Sequence, residues 1–216
     1  MAILDRFRKT AAAARTAAPS VAPAAPSAPS VPQSFDDLTG SYTIDPTHTR
    51  IGFSARHAMV TTVRGAFDEF EGGAEIDSAN PGSSSAKLSI KAASINTGQA
   101  DRDGHLRSAD FLDVETFPEL TFVATGVERT DETSWVVTGD LTIKGVTNPV
   151  TVDFEYAGTA TDPFGNLRVG FEGSTTINRK DWGLTWNAAL ETGGVLVSDK
   201  IKLELDVSAI ATPTEA

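Results

Sequence analysis

The sequence predicts an all-β domain, a single antiparallel barrel of about eight strands that spans residues 41–210. Three observations predict it. Apolar and polar residues alternate with a period of two in run after run, turn-forming residues separate many of these runs, and no long stretch has the period of an amphipathic helix. Strands joined by short turns are typical of an antiparallel meander, because parallel strands need long crossover connections.

The runs of alternation predict the strands in chain order. In the clearest run, Val150, Val152 and Phe154 alternate with Thr151 and Asp153, which predicts a strand with one buried face. The same pattern recurs in these segments: 51–57, 87–91, 120–124, 137–143, 150–156, 167–171, 182–186 and 201–207. Turn signals rich in Gly, Pro, Asn and Asp lie at 78–82, 147–149, 162–166 and 192–194.

One long segment departs from the strand pattern. Residues 96–118 lack sustained alternation, and Ser108, Asp110 and Asp113 are residue types that cap short helical turns. We therefore expect a short helical excursion that crosses outside the sheet.

The apolar face of so long a sheet requires a second layer. No predicted helices supply that layer, which favours closure of the sheet on itself. A barrel of about eight strands has an interior just wide enough for one slender ligand. A filled, ligand-free β-sandwich is the alternative, and alternation alone does not distinguish the two.

The charge of the chain restricts the class of partner. Its formal net charge is −11, and it contains no cysteine. Residues 41–216 carry 14 Lys and Arg against 26 Asp and Glu, which argues against nucleic-acid binding, since that binding relies on neutralising phosphates. The absence of cysteine excludes disulfides and thiolate metal sites. A neutral or apolar partner is the easiest for this body to accommodate.

The first forty residues differ from the rest. In residues 17–34 nearly every residue is Ala, Pro or Ser, which predicts a disordered, extended linker. Residues 1–18 are Ala-rich and could form a short helix that makes weak contact with a membrane surface. Arg15 interrupts the apolar run, so no cleavable signal peptide is predicted and we expect a cytoplasmic protein. We also expect disorder over residues 211–216.

Five stretches resemble the YceI-like family, and together they cover nearly all of residues 42–207. No single stretch is decisive, but the five follow one another in the family's order. They are 42–48 with 51–53 and His57, 65–67 with Phe70 and Gly72, 102–106 continuing to 118, 139–147, and 177–179 with Trp182 and Gly183.

The resemblance implies a lipocalin-like barrel whose apolar channel binds a polyisoprenoid, a quinone tail, a fatty amide or acid, or another long-chain lipid. It implies no catalysis and no cofactor. Many relatives are exported, so a periplasmic or secreted location is the alternative to the cytoplasm. Relatives also suggest a homodimer.

The candidate ligand-binding residues follow from this resemblance and from the alternation. The alternative for the apolar members is that they simply fill the core. The set consists of Phe53, Phe67, Phe70, Phe122, Leu141, Phe154, Phe171, Trp182 and Trp186, with His57, Arg102 and His105 as polar members.

Polar clusters raise two other hypotheses. Asp101, Arg102, Asp103 and His105 resemble an acid–base group, but no nucleophile in a suitable turn accompanies them, so helix capping or contact with a lipid's polar end is favoured. His48 and His57 lie an odd number of residues apart, which argues against a shared metal. An enzyme acting on an isoprenoid lipid through 102–105 and a ligand-free interaction module remain alternatives.

Overall fold

The structure, a computed structural model, describes residues 38–191 and 193–212. Most of the predicted N-terminal tail and residues 213–216 therefore lie outside the described residues. Within them, Leu38 is fully buried, and strand β1 begins at Gly40. The strands are β1 (Gly40–Ile44), β2 (Arg50–His57), β3 (Thr61–Phe67), β4 (Phe70–Ile76), β5 (Ser85–Lys91), β6 (Ile95–Asn96), β7 (Glu119–Arg129), β8 (Ser134–Ile143), β9 (Val146–Thr161), β10 (Leu167–Asn178) and β11 (Val197–Ala211).

The strands close into one antiparallel barrel, which confirms the predicted fold. The hydrogen-bonded order runs β1, β4, β5, β7, β8, β9, β10 and β11, and β11 pairs with β1 to complete the ring. Closure leaves this ring without a free edge, and the sheet also continues from β11 through β2 and β3 and ends at β6.

The first two of the long strands are each interrupted. Strand β11 pairs with β2 through its first half and with β1 through its last residues, because residues 45–49 break the strand between them. Likewise β3 pairs with β2 and β4 pairs with β1. Eight long strands are thus divided into more numerous segments. We call the β1 end of the barrel the upper end and the β2–β3 hairpin end the lower end.

A single α-helix of the described residues, α1 (Ala100–Arg107), lies at the lower end. The Gln99 side chain caps the Arg102 amide in its first turn, and the Asp103 carboxylate accepts a hydrogen bond from the amide of Thr97, which precedes the helix. Arg107 donates to the carbonyls of Ala93 and Ile95, which holds the helix beside β6. The predicted excursion is therefore a capped helix.

Two local predictions were wrong. Residues 182–186 do not form a strand, because a 3₁₀ turn ends at Trp182 and Gly183 adopts the left-handed conformation, with φ of 74°. Residues 184–191 and 193–196 then follow as irregular chain. Residues 147–149 lie inside β9, and the turn before them is formed by Lys144 and Gly145, both with positive φ.

Candidate functional site

The barrel interior contains two cavities arranged end to end. The upper one has a volume of about 250 Å³ and the lower one about 480 Å³. Phe67, Leu120, Ile143 and Leu203 line both cavities, and we call these four residues the waist. Ligand-binding pockets usually measure about 300–1,000 Å³, so the joined bore has the size of a small-molecule site.

Sheet residues form the wall of the upper cavity. Of the predicted site residues, Phe122, Leu141, Phe154 and Phe171 lie here, and Phe67 borders the cavity at the waist. Phe122, Phe154 and Phe171 point inwards yet remain only half-buried. Side chains in a filled core would be fully enclosed, so this residual exposure indicates a hollow interior.

Glycines on neighbouring strands explain how a barrel rich in phenylalanine stays hollow. Phe154 pairs with Gly173, and a Cβ added at Gly173 would lie 2.3 Å from its Cε1 atom. Phe122 covers Gly139, and Phe53 pairs with Gly65, with corresponding distances of 2.4 and 2.5 Å to the ring Cζ atoms. Each ring therefore lies flat against the wall, because the glycine opposite has no side chain to push it inwards.

The lower cavity has a more varied wall. Strand residues line one side, whereas α1, the 3₁₀ turn and the chain that follows it line the other. Phe53, Trp182 and Trp186 are the predicted aromatic residues found here. Trp182 is 3 % exposed, and its Nε1 donates to the Leu141 carbonyl at 2.9 Å, which ties the lower wall to β8.

The predicted polar residues gather at this lower cavity. His57, Arg102 and His105 all line it, although they come from β2 and from α1. His105 makes edge-on contacts with the rings of Trp186 and Phe111, at centroid distances of 4.5 and 5.0 Å. The structure therefore brings the three polar candidates and the aromatic wall together.

Hydrogen bonds hold His105 and Arg102 in place. His105 Nε2 lies 2.9 Å from Asp110 Oδ2, and the Ser108 hydroxyl donates to the His105 backbone carbonyl and not to its ring. Arg102 donates to the Thr97 hydroxyl and carbonyl at 2.7 and 3.0 Å. This arrangement offers fixed hydrogen-bonding groups beside the cavity but no activated serine.

The structure adds a residue that sequence reasoning missed. Arg179 also lines the lower cavity, although it is only 4 % exposed. Its guanidinium donates to the carbonyls of Leu184, Trp186 and Ser198. Burial lowers the pKa of Arg179, an effect that nearby Asp199 opposes. Arg179 thus fixes the irregular chain that closes this side of the barrel.

Comparison with known proteins identifies the fold and the family. The profile of the YceI-like domain matches residues 42–209. The chain belongs to the YceI-like family.

Individual relatives agree with this placement. The YceI-like chain is 39% identical over 165 residues to a UPF0312 protein of Staphylococcus aureus, covering 76% of this chain and 94% of the relative. A YCEI protein of Campylobacter jejuni superposes with a TM-score of 0.63 at 29% identity, covering 73% and 90% of the two chains. A polyisoprenoid binding domain from Saccharophagus degradans shares the fold, with a TM-score of 0.60 at 20% identity over 79% and 98%.

Not every predicted residue of the YceI-like domain borders the cavities. Phe70 packs against the main apolar cluster and lines neither cavity. Conversely, Leu106, Phe111 and Leu112 line the lower cavity but were not predicted. No alternating pattern marks them, since they come from α1 and the turns after it.

The upper end of the YceI-like domain carries an ion-pair network on its outside. Arg168 donates to both Asp45 and Asp162. Its hydrogen bond, with those from Thr47 and His48, holds the pKa of Asp45 far below its ordinary value. Hydrogen bonds from Asn166, and then from Arg168, lower the pKa of Asp162 to about 2. These bonds fasten the β9–β10 turn to the break between β1 and β2.

The described part of the chain holds neither a metal-binding cluster nor a membrane-spanning helix. Residues 38–191 and 193–212 contain no cluster of three or more His, Asp or Glu side chains placed to hold a metal ion. Over the same residues, no helix is both long and apolar enough to cross a membrane.

Proposed function

We propose that this YceI-like barrel binds one long apolar lipid and does not transform it. The observation that carries the proposal is the pair of apolar cavities that adjoin at the waist, one towards each end of the barrel. Burial of each methylene contributes about 0.8 kcal/mol, so a chain of tens of carbons supplies ample driving force even after its ordering cost.

The distribution of polar groups supports an orientation for the ligand. The upper cavity has an almost wholly apolar wall, whereas His57, Arg102 and His105 border the lower one. The apolar chain therefore occupies the upper cavity, and the polar end of the lipid lies among these three side chains. A polyisoprenoid, a quinone tail and a fatty amide or acid all have this form.

The hydrogen bonds around α1 favour binding over catalysis. The Arg102 guanidinium donates hydrogen bonds to Thr97. The Ser108 hydroxyl donates to the backbone carbonyl of His105 and not to its ring, so it is not activated as a nucleophile. The YceI-like relative described as a polyisoprenoid binding domain supports the same ligand class. We further propose that the homodimer and the tail contact expected from the sequence are secondary to this role.

Solvent extraction tests the proposal directly. Native mass spectrometry of the purified protein is expected to show an adduct that an apolar solvent removes, and the extract is expected to contain a long-chain lipid. Incubation of that lipid with the protein should return it unchanged. An adduct-free protein that also fails to bind polyprenol or fatty-amide probes would overturn the proposal, and conversion of the lipid would replace it with an enzymatic function.

A further inference from the structure

An apolar tip projects from the lower end of the barrel. Met59 is 59% exposed and Val60 is 75% exposed, both in the three-residue loop between β2 and β3. Val195, another exposed apolar residue, precedes Leu196, whose carbonyl accepts a hydrogen bond from the Ala58 amide. We call Met59, Val60 and Val195 the tip patch. Exposed apolar groups that lie together mark contact surfaces.

The backbone of this loop is unusual for a turn. Ala58 and Met59 both have positive φ, at 49° and 61°, where glycine or asparagine is the ordinary choice. The β8–β9 turn at the same end uses Lys144 and Gly145 in that conformation. Because its side chain is exposed, Met59 buries little apolar surface that could offset the strain of its backbone. Strain of this kind is concentrated at functional segments.

One side chain braces the strained loop. Arg56 donates to the Met59 carbonyl at 2.9 Å and to the Thr62 hydroxyl at 3.2 Å. It also lines the lower cavity, as do His57 and Leu196. The tip patch therefore lies at the rim of the lower cavity.

The charge around the patch identifies the occupant. Between Asp45 and Asp68 the hairpin carries no acidic residue, and Arg56 and Arg64 are exposed on the two strands that lead to the tip, in a chain with a net charge of −11. Glu204 offsets Arg64 in part, the adjoining loop adds Glu191, and Asp101 of α1 lines the lower cavity together with Arg56. A basic hairpin with an apolar end matches an anionic bilayer, where cations meet headgroups and apolar side chains enter the interface.

We infer that the β2–β3 hairpin docks the barrel on an anionic lipid bilayer, with the tip patch inserted and the lower cavity facing the membrane. This inference rests on the proposed function, because a lipid carrier must load from a lipid phase. It gives the lipid a route into the bore that avoids bulk water.

Flotation with vesicles of phosphatidylethanolamine and phosphatidylglycerol tests the docking. The double variant Met59→Ser/Val60→Ser of the full chain is expected to reduce co-flotation about tenfold, since two apolar side chains no longer enter the interface. The matched control is Phe164→Ser, which removes an 88% exposed aromatic residue from the β9–β10 turn at the opposite end. Its co-flotation is expected to equal that of the wild type.

Site-specific labelling separates the tip from the rest of the chain. Because the protein lacks cysteine, Val60→Cys and Phe164→Cys each accept one environment-sensitive dye. On vesicles the dye at position 60 is expected to shift to the blue and the dye at position 164 to remain unchanged. Equal shifts, no shift at position 60, or flotation that ignores the double variant would overturn the inference. So would dimerisation through the tip without vesicle binding.

Lipid binding measured without vesicles distinguishes the two proposals. The double variant is expected to bind a polyprenol probe added from ethanol as well as the wild type does. Normal probe binding without vesicle docking would overturn the docking alone. Docking without any probe binding would overturn the proposed lipid-binding function and leave the docking surface standing.

Discussion

The upper and lower cavities are built in different ways. The upper wall consists of strands, with phenylalanine rings laid over glycines, and it is almost free of polar groups. The lower wall includes a helix, a 3₁₀ turn and irregular chain, and it carries His57, Arg102, His105 and Arg179. Both walls therefore enclose empty space, and the lower cavity owes most of its His and Arg side chains to the departures from regular sheet.

The largest effect is expected where the two walls are joined. Trp182→Ala removes a buried indole and its bond to the Leu141 carbonyl, so the free energy of unfolding should fall by about 3–5 kcal/mol. Trp182→Phe keeps most of the apolar surface and should cost about 0.5–1.5 kcal/mol, through the loss of the hydrogen bond to the Leu141 carbonyl. Urea denaturation measures both. No loss of stability in Trp182→Phe would mean that the bond to the Leu141 carbonyl does not join the two walls.

A narrower upper cavity should lower the affinity for long lipids more than the affinity for short ones. Gly173→Ala pushes the Phe154 ring into the bore, and the affinity for long-chain lipids should fall about tenfold, equivalent to about 1.4 kcal/mol, while short chains still bind. Gly126→Ala is the matched control, because a Cβ at this strand glycine meets nothing within 4 Å. Titration with lipids of graded length measures these affinities. Equal affinities of Gly173→Ala and Gly126→Ala for long chains would contradict the assignment of the upper cavity to the apolar chain of the ligand.

The polar side of the lower cavity should affect the headgroup. His105→Phe keeps a ring against Trp186 and Phe111 but removes both ring nitrogens. Affinity for a lipid with a polar end should fall about threefold to tenfold, the loss of one hydrogen bond, whereas a pure hydrocarbon chain should bind unchanged. Competition binding with the alcohol and its parent hydrocarbon measures this, and equal losses for the two would point to altered packing.

The smallest effect is expected from acid at the upper end. Asp45 and Asp162 have pKa values below the ordinary 3.8 in the folded protein, so their stabilisation is complete above that value and is lost as pH falls towards 2. Arg168→Gln should flatten this loss, as seen in urea midpoints between pH 5 and about 2. Lys202→Gln, which breaks an exposed ion pair with Glu204, should leave most of the acid-induced loss of stability in place. An identical acid response in all three proteins would contradict the assignment.

Sequence alone predicted the barrel because alternation is a local property of each strand. It also predicted most of the aromatic wall, since Phe53, Phe122 and Phe154 lie on the inward parity. Alternation alone did not distinguish a hollow interior from a filled one, and the resemblance to the family implied the channel. The glycines from neighbouring strands that leave room for the rings were not predicted. Arg179 was missed because the carbonyls that accept its hydrogen bonds belong to irregular chain that no sequence pattern marks. Residues 182–186 have the alternation of a strand, but the left-handed conformation of Gly183 turns the chain.

The waist also governs stoichiometry. Phe67, Leu120, Ile143 and Leu203 lie between the two compartments of the bore, the upper and lower cavities, and line both. A lipid long enough to pass the waist fills both compartments and binds as one molecule per barrel, whereas a chain shorter than one compartment leaves the other free for a second copy. The number of lipid molecules bound per barrel should therefore change from two to one as the lipid chain is lengthened, so that stoichiometry reports the length of the ligand.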